Sequence, residues 1–183
     1  MNFLFAAMLV AGLVTAGCSR EPKSATGHVV KMQLTSAAFA DGQPIPVKYT
    51  GDALDISPPL AWANSPTNTK SFALIADDPD APAGDWTHWV IYDLPPTTAA
   101  LAEDTLNTPQ LRNGAKQGLN DFKKTGYGGP APPPGKAHRY YFKLYALEAM
   151  TGLAPGATKA DLLKAMDGHV LGEGQLKGTY QRQ

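Results

Sequence analysis

The stretch SFALIADDPDAPAGDWTHWVIYDL, Ser71 to Leu94, decides how this chain folds. Ser71 to Asp77 is apolar almost throughout and reads as a central strand ending in a double acid, Asp77-Asp78. His88 to Leu94 reads as a second strand, with Trp89, Ile91 and Asp93 on one face and Val90, Tyr92 and Leu94 on the other. Between them stands Asp78-Pro79-Asp80-Ala81-Pro82, then Trp86-Thr87-His88-Trp89. Two carboxylates and a histidine, held by prolines and tryptophans, form a rigid polar pocket at a strand end. A cis peptide at Ala81-Pro82 is expected in so tight a proline turn.

A second cluster of the same character lies downstream: Tyr127-Gly128-Gly129-Pro130-Ala131-Pro132-Pro133-Pro134-Gly135, then His138-Arg139-Tyr140. Tyr140 to Leu147 alternates Tyr140, Phe142, Leu144 and Ala146 against Tyr141, Lys143 and Tyr145, the pattern of a strand. The two clusters are expected to meet in space.

The rest of the chain fits a turn-rich β architecture, with 18 glycines and 16 prolines among 183 residues. Met32 to Phe39 opens the domain as a strand, Asp41-Gly42 marks a turn, and Ile45 to Tyr49 reads as a short strand. Ser57-Pro58-Pro59-Leu60-Ala61-Trp62 is extended, since each proline disfavours helix in the residue before it. One helix is clear: Thr158 caps it with Asp161 three residues on, and Leu162, Leu163, Met166 and Val170 repeat at helical spacing until Gly172 and Gly174. Leu176 to Arg182 is a possible edge strand, and His169 takes a structural role. The long aperiodic region from Pro95 to Ala137 belongs to function, because structureless loops beyond about 12–15 residues are uncommon in compact domains.

Sixteen basic and sixteen acidic side chains leave no net charge, which excludes the basic footprint of a nucleic-acid binder. A domain of roughly 150 residues buries about 68–70% of its unfolded surface and needs no staple, consistent with a single cysteine. Phe3 to Val14 is an uncharged apolar run, shorter than the about 20 residues a membrane-spanning helix needs, and fits a secretory signal. Thr15-Ala16-Gly17 before Cys18 resembles a bacterial lipobox, although Thr15 stands where leucine is commonest and no Lys or Arg precedes the run. The alternative is an ordinary signal with Cys18 incidental. The lipobox reading divides the chain into a signal peptide (1–17), a lipidated Cys18 with a flexible tether (18–28) and one folded domain (29–183). It implies acyl chains (diacylglyceryl and palmitate) on Cys18, and membrane anchoring on the periplasmic side, with Ser19 after the cysteine favouring the outer membrane.

The order DPDAP, W-x-HWV, YGGPAPPPG and HRYYFKLYAL resembles the phosphatidylethanolamine-binding protein family, which includes the Raf kinase inhibitor protein and the plant flowering regulators; the bacterial branch is the nearer. The likeness runs from about Met32 to Arg182 and takes in SPPLAW, Asn120 and the ending AMDGHVLGEGQLKGTYQR. It implies a mostly β fold of one large and one small antiparallel sheet with peripheral helices and a small anion pocket. Carried over by motif, that pocket is lined by Asp78, Asp80, His88, Gly129, Pro132, Pro133, His138 and Tyr140. Pro134 is extra to the family's loop and is expected to alter the pocket mouth. A lipid anchor, absent from the cytosolic eukaryotic members, speaks against a role in kinase signalling.

The chemistry agrees with that implication. His88, His138, Tyr140 and backbone N–H groups are donors for an anion, Asp78 or Asp80 can orient a histidine, and a carboxylate can accept from the ammonium of a zwitterionic head group. A zinc site from Asp78, Asp80, His88 and His138 is conceivable by inventory but lacks tight ligand spacing, and paired carboxylates joined through proline need not face one another. No G-x-S-x-G occurs. The sequence therefore predicts an envelope lipoprotein that binds a phosphate-bearing small molecule or phospholipid head group, with no metal or other cofactor. The alternatives are a hydrolase using His88 with Asp78 or Asp80, and a module that engages or inhibits a protein partner.

Overall fold

The computed structural model describes residues 21–24 and 27–182; Cys18, the signal segment and part of the tether lie outside them. Among the described residues nine strands form two sheets. They are β1 (Val30–Lys31), β2 (Gln33–Thr35), β3 (Leu60–Ala63), β4 (Ser71–Asp78), β5 (Trp86–Leu94), β6 (Ala100–Leu101), β7 (Lys116–Gln117), β8 (His138–Leu147) and β9 (Val170–Tyr180), with one α-helix, α1 (Lys159–Met166). The large sheet has the order β1-β9-β8-β4-β5-β7 and the small one β2-β3-β6. Every pairing is antiparallel except β1 with β9.

Both faces of the large sheet are covered, and this explains why β4 is apolar almost without alternation. Toward the small sheet, Phe72, Leu74 and Ala76 of β4 pack with Trp89, Ile91, Phe142 and Leu144, and with Leu34, Leu60 and Trp62 from opposite. On the other face Ala73, Ile75, Val90, Tyr92 and Tyr145 lie beneath Leu162 and Met166 of α1. Fully burying an apolar side chain of this size stabilises by about 1.5–3 kcal/mol, so the register is strongly specified. The helix begins as expected, with a capping box between Thr158 and Asp161.

Four local readings change. The alternation of β5 breaks at Asp93, whose φ is +56°; Leu94 then pairs with Phe72 and joins Trp89 and Ile91 on the same face. The Asp93 carboxylate holds this bulge by accepting from Lys116 Nζ (2.9 Å) and Thr151 N–H (2.7 Å). Ile45 to Tyr49 is not a strand: Pro44 and Pro46 have no N–H to give, Ile45 N–H alone reaches Thr179 O (2.8 Å), and Val47–Tyr49 forms a 3₁₀ turn. The segment expected as one strand from Met32 splits, leaving the large sheet after Met32 N–H meets Glu173 O (2.7 Å) and entering the small sheet as β2. All peptides among the described residues are trans, including Ala81-Pro82.

The largest correction concerns the C-terminal stretch. The helix stops at Met166, Gly168 turns the chain with φ +84°, and Val170 to Tyr180 is an interior strand between β1 and β8 rather than an edge. Its glycines are demanded by close packing. A Cβ on Gly174 would stand 3.0 Å from the Met32 carbonyl, and one on Gly178 would overlap Ile45 Cγ1. Ahead of β1, Glu21 to Ser24 lie on the domain: Lys23 N–H donates to Asp167 (2.8 Å), and Glu21 accepts from Lys143 (2.8 Å) and the Tyr145 hydroxyl (2.6 Å).

Gly178→Ala is therefore expected to destabilise the domain by about 1–3 kcal/mol, because the added methyl must displace Ile45 from a packed layer. Equilibrium unfolding in urea measures this, and an unchanged midpoint would refute the packing argument.

Candidate functional site

Three neighbouring strands, β8, β4 and β5, deliver the site at one end of the large sheet. Asp78 stands opposite Trp86, and Asp77 opposite both Thr87 and Tyr141. The β4–β5 register shifts between Ala76 and Asp77: Ala76 faces Trp89 while Asp77 faces Thr87, so His88 is the extra residue. Such a bulge re-aims a side chain. Here it turns His88 toward the same face as Trp89.

His88 is buried, and its Nδ1 lies 2.6 Å from the Gly128 carbonyl. A carbonyl only accepts, so Nδ1 carries the proton. Gly128 N–H in turn donates to the His88 carbonyl (2.9 Å), clamping the glycine–proline loop to β5. Burial pushes the His88 pKa below its ordinary value, partly offset by the Gly128 carbonyl and the Asp78 charge. Across the site, His138 Nδ1 lies 2.8 Å from Asp78 Oδ2, and Asp78 Oδ1 accepts from Asp80 N–H (2.8 Å). Between the histidines stands Tyr140, its ring 5.2 Å from that of His88 and nearly perpendicular to it. The Tyr140 hydroxyl is buried beside the Asp78 carboxylate, without a well-formed hydrogen bond to it. Its pKa is held up, first by burial and then by the Asp78 charge.

These groups line one cavity of about 240 Å³. Its walls are Trp86, Phe122, Pro82, Pro132 and Pro133, with small alanines between, and no lysine or arginine among the described residues lines it. Of the residues singled out in the sequence, the structure brings together Asp78, His88, Pro132, Pro133, His138 and Tyr140. Asp80 and Gly129 lie elsewhere. The Asp80 carboxylate is turned outward, taken by the Arg139 guanidinium (2.7 and 2.8 Å) and the Arg139 N–H (2.9 Å). Gly129 N–H donates to Asp55 (2.6 Å) on the far side of the loop, where a Cβ would run into the Tyr49 carbonyl. Pro134 is exposed and does not line the cavity.

Phe122 is the wall that sequence reasoning missed. It sits edge-on to Trp86 (5.5 Å) and His88 (5.3 Å). A turn from Asn120 holds it there: Asn120 Nδ2 donates to Gly126 O (3.0 Å), and Thr87 N–H to the Asp121 carboxylate (2.7 Å). The only local signal was that pair of turn formers, Asn120-Asp121, ahead of an aromatic ring.

Asp77, one residue from Asp78, points to the opposite face. There it is buried against Lys159 (2.8 Å) and Lys143 (3.5 Å) beneath the start of α1. Desolvation raises its pKa, and the two ammonium groups oppose the shift. Among the described residues, no group of three or more His, Cys, Asp or Glu is placed to hold a metal ion, and no helix is long and apolar enough to cross a membrane.

A family model described as phosphatidylethanolamine-binding protein matches residues 35–181. A UPF0098 protein of Methanothermobacter thermautotrophicus is 52% identical over 151 residues, spanning 82% of this chain and 99% of the relative. One from Aquifex aeolicus is 48% identical over 153 residues, spanning 82% and 89%. Among solved structures, a Chlamydia trachomatis homologue of phosphatidylethanolamine-binding protein superposes with a TM-score of 0.76 at 44% identity, covering 84% of this chain and 99% of that one. Escherichia coli YbcL, described as a member of the mammalian family, gives 0.78 at 30% identity, covering 84% and 100%.

The placement of Asp80 has a pH signature. Hydrogen bonds from Arg139 hold its pKa down to about 2. A depressed carboxylate stabilises the fold above its ordinary value near 3.8 and loses that contribution as pH falls through about 2. An NMR titration of the Asp80 carboxyl should find its midpoint near 2, and Arg139→Ala should carry it most of the way back to 3.8. A midpoint unmoved by that substitution would mean that the pair does not form in solution.

Proposed function

The chain belongs to the phosphatidylethanolamine-binding protein family, and we propose that it binds, in the cavity between His88 and His138, a small molecule or lipid head group carrying a phosphate. The observation that carries this reading is the Tyr140 hydroxyl, buried in the cavity wall beside the Asp78 carboxylate without a well-formed hydrogen bond to it. A buried polar group left unsatisfied costs about 1–3 kcal/mol, and a ligand oxygen at that point recovers it. Both histidines have Nδ1 engaged by the protein, which leaves each Nε2 for the ligand; that of the uncharged His88 ring is an acceptor and suits an ammonium or hydroxyl of the ligand rather than its phosphate.

Size and charge narrow the class. At about 240 Å³ the cavity falls below the usual 300–1,000 Å³ of sites for drug-sized ligands, so it suits a head group and not a whole lipid. With no lysine or arginine lining it and one carboxylate at its floor, it suits a zwitterion better than a multiply charged anion. An ammonium can lie against the Trp86 and Phe122 rings while the phosphate meets Tyr140. Proline walls hold the shape before binding and spare the entropy of ordering it.

The apolar run and Cys18 support a lipid-anchored protein of the bacterial envelope. The apolar run and Cys18 lie ahead of residues 35–181, which the family model matches. Cys18→Ser should shift the protein from the membrane to the soluble fraction and abolish incorporation of labelled palmitate. Continued membrane association would overturn the anchoring.

Titration with phosphoethanolamine and inorganic phosphate, read by tryptophan fluorescence and calorimetry, tests the cavity. Tyr140→Phe should weaken binding about 10-fold or more, as expected for a hydrogen bond to a charged group, while the unfolding midpoint stays level or rises. Wild-type affinity in that variant would remove the observation on which the reading stands.

A further inference from the structure

We infer that this cavity turns its ligand over by acid–base catalysis, with His88 taking a proton from a hydroxyl of a bound phosphodiester and His138 protonating the oxygen that departs. The inference rests on the reading that the cavity receives a phosphate and extends it from binding to chemistry.

The two imidazoles are held alike but supported differently. Each has Nδ1 tied down, His88 by the Gly128 carbonyl at 2.6 Å and His138 by the Asp78 carboxylate at 2.8 Å. Tautomer and ring orientation are thereby fixed, and both Nε2 atoms are left to the one cavity that the rings share. The support of His88 is neutral and its surroundings are dry, so the ring stays uncharged and presents a lone pair. The support of His138 is a carboxylate, which accepts from Nδ1 and orients the ring toward the cavity as the proton donor of the pair. A site made only to hold an anion has no use for a lone pair aimed at it. A site that moves a proton needs one ring of each kind.

Among the described residues, no serine, threonine or cysteine lines the cavity, and the nucleophile in this scheme is a hydroxyl of the ligand. This selects phosphodiesters whose alcohol carries a hydroxyl on the carbon adjacent to the one that bears the ester oxygen, as glycerol diesters do. The hydroxyl proton passes to His88 Nε2 and the freed oxygen forms a bond to phosphorus. The bond from phosphorus to the other alcohol breaks, its electron pair leaves with that oxygen, and the oxygen takes the proton of His138 Nε2. The products are a five-membered cyclic phosphate and a free alcohol, with the charge on phosphorus unchanged and no further reactant consumed. The Tyr140 hydroxyl donates to a non-bridging oxygen, where charge builds in the transition state. Asp78 is a positioning residue, acting through His138.

The test uses the full chain with sn-glycero-3-phosphoethanolamine in the presence of EDTA. Phosphorus NMR follows cyclic glycerophosphate, an amine assay follows ethanolamine, and calorimetry measures binding of the same compound. The expected result is both products in equal amounts, with a bell-shaped pH profile. His88→Ala and His138→Ala should each lose about 10²–10⁴-fold in rate, and added imidazole should restore part of it, which a merely structural defect would not allow. Asp78→Asn should lower kcat with little change in KM. The 2-O-methyl ether of the same diester should bind and remain intact. Binding of the parent diester without product overturns the catalytic inference and leaves the binding reading standing. Turnover of the methyl ether overturns the internal nucleophile, and failure of both compounds to bind overturns the two readings together.

Discussion

The clamp between His88 and Gly128 is the constraint on which the site depends. The His88 carbonyl accepts from Gly128 N–H while its ring donates back to the Gly128 carbonyl. Each hydrogen bond contributes only about 1 kcal/mol net, but breaking the pair would strand buried polar groups at a cost of about 1–3 kcal/mol each. The clamp exists because the β4–β5 register slips at His88, freeing that residue from the ladder and aiming it at the loop. It also dictates glycine at 128, where a Cβ would come within 2.8 Å of Phe122, the ring that closes the cavity from above. Bulge, glycine, loop and aromatic wall are one arrangement.

The double acid at the end of β4 shows how a strand separates structural charge from functional charge. Successive side chains point to opposite faces. Asp77 therefore goes under α1, where Lys159 and Lys143 neutralise it, and Asp78 goes to the cavity, where an imidazole and a backbone N–H satisfy it. Burying either carboxylate alone would be prohibitive, and each is affordable only because its partners arrive from other strands or from the helix. The Asp77 cluster also reaches Glu21 through Lys143, so the segment ahead of β1 is tied to the sheet face opposite the ligand cavity.

Much of this was legible in the sequence, for identifiable reasons. Strand β4 announced itself by an uninterrupted apolar run, β5 and β8 by their alternation, the helix by its capping box, and the cavity by two motifs whose side chains do converge. What escaped were features set by tertiary contact. Gly172 and Gly174 read as helix-ending residues, whereas they are strand residues thinned to let β1 and its neighbours approach, a requirement visible only once β1 is placed beside β9. The flip at Asp93 depends on a positive φ secured by Lys116 and Thr151, both remote in sequence. Asp80 was grouped with Asp78 because the motif holds both, yet two residues past the strand end the alternation no longer governs direction, and Arg139 captures it at the surface. Phe122 could not be foreseen, since its position follows from hydrogen bonds of the Asn120 turn and not from any periodic pattern.

Two buried polar atoms in the described structure lack a partner, Trp62 Nε1 and the Tyr140 hydroxyl, and the contrast between them bears on function. Trp62 lies between the sheets, edge-on to Phe72 at 5.5 Å, within a core built from apolar side chains. Its deficit accompanies the burial of a large ring and has nothing to answer it. Tyr140 also lacks a well-formed hydrogen bond, but it lies on the wall of an open cavity beside the Asp78 carboxylate and two imidazoles whose Nδ1 atoms are already committed. Phenylalanine would fill the ring's place without the deficit. A hydroxyl kept there at a cost to stability, with two ring nitrogens directed into the same small volume, makes sense for a surface completed by a ligand oxygen.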